Sequence, residues 1–167
     1  NSNPITITAT AVIPSVTIAA STTSICVGAS VTFTATPVNG GAAPTYQWQI
    51  NGANVAGQTA SAFTSATLNN NDVVSVIMTS NDPCANPTTA NSNNVTVTAT
   101  TTATPTVNVT QPDCVVATGT ITVAAPLGAG FTYSIDGITY TNTTGVFAAV
   151  APGNYNVTVR NASGCTS

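Results

Sequence analysis

Charge is what this chain most lacks. Its 167 residues include one basic side chain, four acidic ones and no histidine, giving a formal net charge of -3. The base is Arg160 and the acids are Asp72, Asp82, Asp113 and Asp136; lysine and glutamate do not occur. Proton-transfer catalysis therefore has no imidazole, no ammonium and no paired carboxylate to draw on, and a serine or cysteine nucleophile would lack its usual base. No enzyme activity is expected. A single cation cannot displace counterions from a phosphate backbone, so nucleic acid is not an expected partner, nor is an anionic membrane surface.

Other absences narrow the reading further. No apolar run approaches the ~18 residues that a membrane-spanning helix needs, so membrane insertion of this segment is not expected. A basic stretch followed by an apolar core, the mark of a secretion signal, is not seen at the start, and export has to be argued from other features. Lys-Asn isopeptide staples are excluded for want of lysine. The four aspartates stand singly, three of them in turn contexts ("QPDC", "NDPC", "IDGI"), whereas a hard-cation site gathers six to eight oxygens with several carboxylates. Neither a metal nor a cofactor is expected. Charged guards are also missing from the strands, so sheet edges are either covered or used for association.

What is present is threonine, roughly a fifth of the chain, alternating with valine or isoleucine. That period of two is the pattern of strands with one buried and one wet face, and helical periodicity is absent. The fold class is all-β, in two tandem immunoglobulin-like sandwich modules. The first, 14–100, has candidate strands at 15–20, 30–36, 45–50, around Val55, 61–68, 72–80 and 93–100. Trp48, with Tyr46 and Ile50 at period 2, is its core anchor, and Asn51-Gly52 suits a type I′ hairpin. The second, 105–167, repeats the grammar at 106–110, 119–125, 131–135, 138–141, 145–150 and 154–160, with Asp136-Gly137 in the hairpin position. It stops one strand short.

The sequence opens with "NSNPITITAT", and residues 91–100 read "NSNNVTVTAT". The opening segment, Ile5, Thr6, Ile7, Thr8, Ala9 and Thr10 within 1–13, thus reads as the last strand of an adjacent module. Joined tail to head, the chain makes a regular repeat. Either tandem copies in one polypeptide or subunits that donate a strand to a neighbour would satisfy this; chance or an arbitrary cut from a larger protein would also produce it. The expected partners are neighbouring copies of the same repeat.

Four cysteines, Cys26, Cys84, Cys114 and Cys165, fall two to a module, before the second strand and after the sixth. Their even number and equivalent positions predict disulfides and an oxidising, extracellular compartment; zinc would need closer ligand spacing. The simplest pairs are Cys26 with Cys84 and Cys114 with Cys165. Second and sixth strands run the same way, which would place such partners at opposite ends unless a long loop doubles back, so staples between adjoining modules, such as Cys26 with Cys165 and Cys114 with Cys84 of the next copy, are the alternative. Sequons occur at Asn94, Asn108, Asn142, Asn156 and Asn161, as expected of a chain rich in Asn and Thr.

The stretch "SICVGASVTFTATPVNGGAAPTYQWQINGANV" through "DVVSVIMTSNDPCA" resembles the immunoglobulin-like repeats of giant secreted surface proteins of Bacteroidetes. The stretches "PDCVVATGTITVAAPLGAGFTYSIDGITY" and "VAPGNYNVTVRNASGC" resemble the SprB-type repeat of gliding-motility adhesins. This resemblance implies a long extracellular filament on the bacterial cell surface, exported by the type IX route. The expected function is a non-catalytic structural repeat joined end to end by a shared or donated strand. The alternative is a module that binds surface glycans, with Tyr140 and the loop at 37–44 as its candidate residues.

Overall fold

The computed structural model describes residues 10–167. They form β-strands joined by turns and loops, without a helix, and the chain divides after Ala99 into two compact units, the second being Thr100–Ser167. The expected terminal strand at 5–9 lies outside the described residues; Thr10 is exposed and outside any strand.

In the first unit, β1 (Ser15–Ala20), β3 (Val31–Val38) and β6 (Ala62–Ser65) make one sheet. The other contains β4 (Thr45–Ile50), β5 (Ala53–Asn54), β7 (Val73–Thr79), β8 (Thr89–Asn91) and β9 (Val95–Thr96), while β2 (Ser24–Cys26) pairs with β10 (Thr98–Thr100). The named pairings within the two larger sheets are antiparallel. Alternation sets the inner faces: Val31, Phe33 and Ala35 of β3 are buried, as are Val74, Val76 and Met78 of β7. The faces meet at Trp48, which is fully buried, with ring centroids 6.2 Å from Phe33 and 5.6 Å from Phe63. Its indole N–H donates to the Ala60 carbonyl at 2.8 Å, so a large apolar body is buried without stranding its polar edge. Two sheets packed over one aromatic core are a β-sandwich. Asn51 and Gly52 join β4 to β5 with φ of 52° and 77°, the positive values that a type I′ turn requires.

The second unit is leaner. One sheet holds β11 (Thr106–Thr110), β12 (Gly119–Ala125) and β14 (Val146–Val150); the other holds β13 (Thr132–Ser134) and β15 (Thr158–Arg160). Its core is Val123, Tyr133 and Val159, with Phe131, Phe147 and Val157 packed around them. Two expectations fail here. Residues 138–141 are not a strand, because Asp136 instead accepts the amides of Ile138 and Thr139 and curls the chain; of the Asp136-Gly137 pair only Gly137 has positive φ, so the turn is not type I′. The strand expected at 154–160 is reduced to 158–160.

Removing the central aromatic should be expensive. Trp48→Ala is expected to lower unfolding free energy by about 3–5 kcal/mol, as large-to-small core substitutions do, read by circular dichroism in a denaturant titration. A loss below about 1 kcal/mol would show that the Phe33–Trp48–Phe63 cluster is not the core of this unit.

Candidate functional site: a groove in the second unit

The shortening of β15 has a local cause. In the first unit β7 is flanked by β4 on one side and by β8 and β9 on the other, so its whole length is hydrogen-bonded into a sheet. β15 is flanked by β13 over three residues, and on its other side Thr166 bridges Arg160. The Ser167 amide donates to the Val159 carbonyl at 2.9 Å, and the Val159 amide donates to the Ser167 hydroxyl at 3.1 Å. Beyond that point, among the described residues, no strand lies beside 154–157, and this stretch takes no strand conformation.

The consequence is a groove of about 250 Å³. Its walls include Val107 and Val109 of β11, Ile121 of β12, Val150 of β14, and Tyr155 and Val157. These positions have counterparts in the first unit by strand order. Val107 and Val109 match Val16 and Ile18 of β1; Tyr155 and Val157 match Val74 and Val76. Exposure separates the two sets: 4% and 6% for Val16 and Ile18 against 39% and 52% for Val107 and Val109, and 0% for Val74 against 39% for Tyr155.

Residues 91–100 make the difference. Val97 and Ala99 are buried in the first unit's core and Val95 packs against it. The segment is held by a bulge: Ile77 faces Asn91 and Val74 faces Val95, so three residues, Ser92 to Asn94, oppose two. Ser92 spans this step, its amide donating to the Val76 carbonyl and its hydroxyl accepting the Val76 amide at 2.9 Å. Asn93 grips β1 in both directions: its carboxamide oxygen accepts the Ile18 amide at 2.8 Å and its NH2 donates to the Ile18 carbonyl at 3.1 Å. The extra residue shifts the alternation so that Val95, Val97 and Ala99 share the inner side.

The other singled-out residues make local contacts. Each aspartate accepts turn or loop amides: Asp72 from Asn69, Asp82 from Cys84, Asp113 from Val115 and Val116. The Ser134 hydroxyl, then the Thr139 and Ile138 amides, hold the Asp136 carboxyl well below the usual carboxylate range; the Val116 and Val115 amides lower Asp113. Tyr140 lies under the Arg160 guanidinium, 4.0 Å from its ring centroid, and its hydroxyl bonds Thr158 at 2.8 Å. The loop at 37–44 is tied inward: Asn81 donates to the Gly40 carbonyl, and Ser80 to that of Asn39. Pro37, Gly41, Ala42 and Pro44 of this loop border a cavity of about 540 Å³ together with Tyr46. The side-chain oxygens of Asn142 and Asn161 accept turn amides.

The cysteines depart from the simplest pairing. Cys26 and Cys165 are disulfide-bonded, whereas Cys84 and Cys114 are exposed free thiols. Bonds from Cys26 to Cys84 and from Cys114 to Cys165 are therefore not formed. Strand direction explains this: Cys26 ends β2, which pairs with β10, and the adjoining Val97 bonds Asp72 at the start of β7, whereas Cys84 follows the end of β7, so the length of the sandwich separates them.

Comparison with known proteins gives little purchase. No family model and no curated protein matches the chain. Among solved structures, it is similar to the three N-terminal domains of the highly immunogenic outer capsid protein (Hoc) of bacteriophage RB49, with a TM-score of 0.49 and 16% identity over 92% of this chain and 57% of that one. The chain thus spans little more than half of that structure.

The lowered Asp136 carboxyl has a readable consequence. A depressed folded-state value contributes stability that is complete above the unfolded carboxylate pKa of ~3.9 and is lost as pH falls from there through the folded value. Its carboxyl resonance should therefore titrate well below that of an exposed reference aspartate in an NMR pH series. Titration at the reference value would remove the Ser134, Ile138 and Thr139 contacts from solution.

Proposed function

We propose that this chain is a non-catalytic structural repeat of an extracellular filament on a bacterial cell surface, in which the groove of the second unit receives residues 1–10 of a neighbouring copy as its last strand. The observation that carries the reading is the open groove beside 154–157, with Val107, Val109, Ile121 and Tyr155 in its walls, set against the same place in the first unit, which 91–100 occupy.

Sequence and register support the same occupant. Aligned on "NSN", Ile5, Ile7 and Ala9 match Val95, Val97 and Ala99, the inward residues of 91–100. Thr166 stands opposite Arg160 as Thr89 stands opposite Thr79, and Ser167 bonds Val159 where Ala90 faces Met78. The next position, opposite Thr158, is then the one that Asn91 fills opposite Ile77, and Asn91 opens the segment that residues 1–10 echo. An incoming strand in this register runs antiparallel to β15 and extends its ladder over Tyr155 and Val157, a form of β-strand addition in which backbone bonds give affinity and alternate side chains give fit. Burying Ile5 and Ile7 contributes about 1.5–3 kcal/mol each.

The mechanism is mechanical. Sandwiches bear load through their ladders, disulfides limit extension, and the strand joins one copy to the next. A disulfide-bonded chain fits an oxidising, extracellular setting, and the resemblance to Bacteroidetes adhesin repeats supports the cell-surface assignment. Tandem copies in one polypeptide and separate strand-donating subunits use the same joint.

Sedimentation velocity tests the joint. The wild-type chain is expected to form end-to-end oligomers whose size grows with concentration. Ile5→Asp/Ile7→Asp would place two unpaired carboxylates in the groove and should weaken association at least about 100-fold, roughly 3 kcal/mol. Wild-type chain that stays monomeric at high concentration would contradict the proposal, as would oligomers unaffected by the double substitution.

A further inference from the structure

The two free thiols, Cys84 and Cys114, are exposed, and Cys114 lies two residues beyond Pro112 in the groove wall. In the first unit the end of the last strand, β10, pairs with β2, whose final residue is Cys26, and the Thr98 amide donates to the Thr23 carbonyl at 2.7 Å. The counterpart of Thr23 in the second unit is Gln111, three residues before Cys114 as Thr23 is three before Cys26. Gln111 and Pro112 border the groove at the end where Asn154 and Tyr155 lie, which is where an incoming strand antiparallel to β15 would leave it. Thr8 to Thr10 of that strand would therefore run beside Gln111 to Cys114.

The chain that leaves the groove leads directly to the other thiol. Val12 forms a parallel bridge with Ala85, its amide donating to the Cys84 carbonyl at 2.9 Å and its carbonyl accepting the Asn86 amide at 3.0 Å. The second unit has a contact at the matching place, through a side chain: the Thr102 hydroxyl donates to the Cys165 carbonyl at 2.8 Å, and Thr102 stands two residues beyond Thr100 as Val12 stands two beyond Thr10. Two extended residues span only about 7 Å, so Cys84 must travel with the end of the donated strand.

The bonded cysteines comprise one that precedes a second strand, Cys26, and one that follows a sixth, Cys165. The free pair, Cys114 and Cys84, comprises one of each kind as well.

We infer that Cys114 of one copy forms a disulfide with Cys84 of the copy whose residues 1–10 fill its groove, so that each strand joint is locked covalently. The inference rests on the strand-acceptor reading. Two thiols lose two protons and two electrons as one S–S bond forms; an oxidised dithiol carrier, itself reduced from disulfide to dithiol by exchange, accepts them.

Complementation between two single variants tests it. Oxidised wild-type chain should give a ladder of covalent oligomers on a non-reducing gel that collapses to monomer on reduction. Cys84→Ser alone and Cys114→Ser alone should give no ladder and no covalent dimer. Their mixture should give a single dimer band, because it supplies one Cys114 and one Cys84 per joint, and peptide mapping of that band should recover Cys114 joined to Cys84. Covalent dimers in either variant alone would overturn the pairing. Oligomers by sedimentation in which both thiols remain open to alkylation would overturn the staple and leave the strand joint standing; absence of oligomers would overturn both.

Discussion

A β-sandwich has to close. The inner faces of its sheets are apolar and the outer edge of each strand carries backbone groups that need partners, so a strand removed from one sheet exposes both kinds of group together. The first unit shows the closed condition. Residues 91–100 cover Val16, Ile18, Val74 and Val76, and β7 is paired on both edges for most of its length. The second unit shows the open condition, in which no described residue fills that position. The counterparts Val107, Val109 and Tyr155 are open, and 154–157 lose strand conformation although their sequence alternates like that of β7.

The devices that hold the last strand in the first unit are few and specific. One bulge shifts the alternation, one serine satisfies the backbone across it, and one asparagine ties the strand to the opposite sheet through both of its amide groups. The serine and asparagine ties fall on the "NSN" that residues 1–3 share with 91–93, while the bulge runs on to Asn94, where the opening segment has Pro4. A chain nearly without charge has few of the usual guards against edge pairing, which is compatible with the strand joint proposed above.

Much of this was legible in the sequence, and the failures have physical reasons. Alternation located β1, β4, β11 and β12 because each carries its apolar residues at an unbroken period of two. It missed β2 and β8, three-residue strands too short to show a period. It over-read 138–141 and 154–157: the first is diverted by Asp136 capturing two amides, and the second has no partner strand to hold it among the described residues. The similarity of 1–10 to 91–100 suggested the proposed joint, whose strand lies largely outside the described residues, and the groove walls became visible only when exposure in the two units was compared. The cysteine pairing was the least legible feature, since spacing along the chain says nothing about which end of a sandwich a residue occupies; strand direction does, and it argued against the simplest pairs.

Electron cryomicroscopy of the assembled chain tests the central claim most directly. The account predicts a fibre in which residues 1–10 of one copy run antiparallel to β15 of the next, with Ile5, Ile7 and Ala9 facing Val107, Val109 and Val157, and with 154–157 drawn into the sheet. A fibre in which that groove is empty, or is filled by the same chain's own residues 1–10, would contradict it.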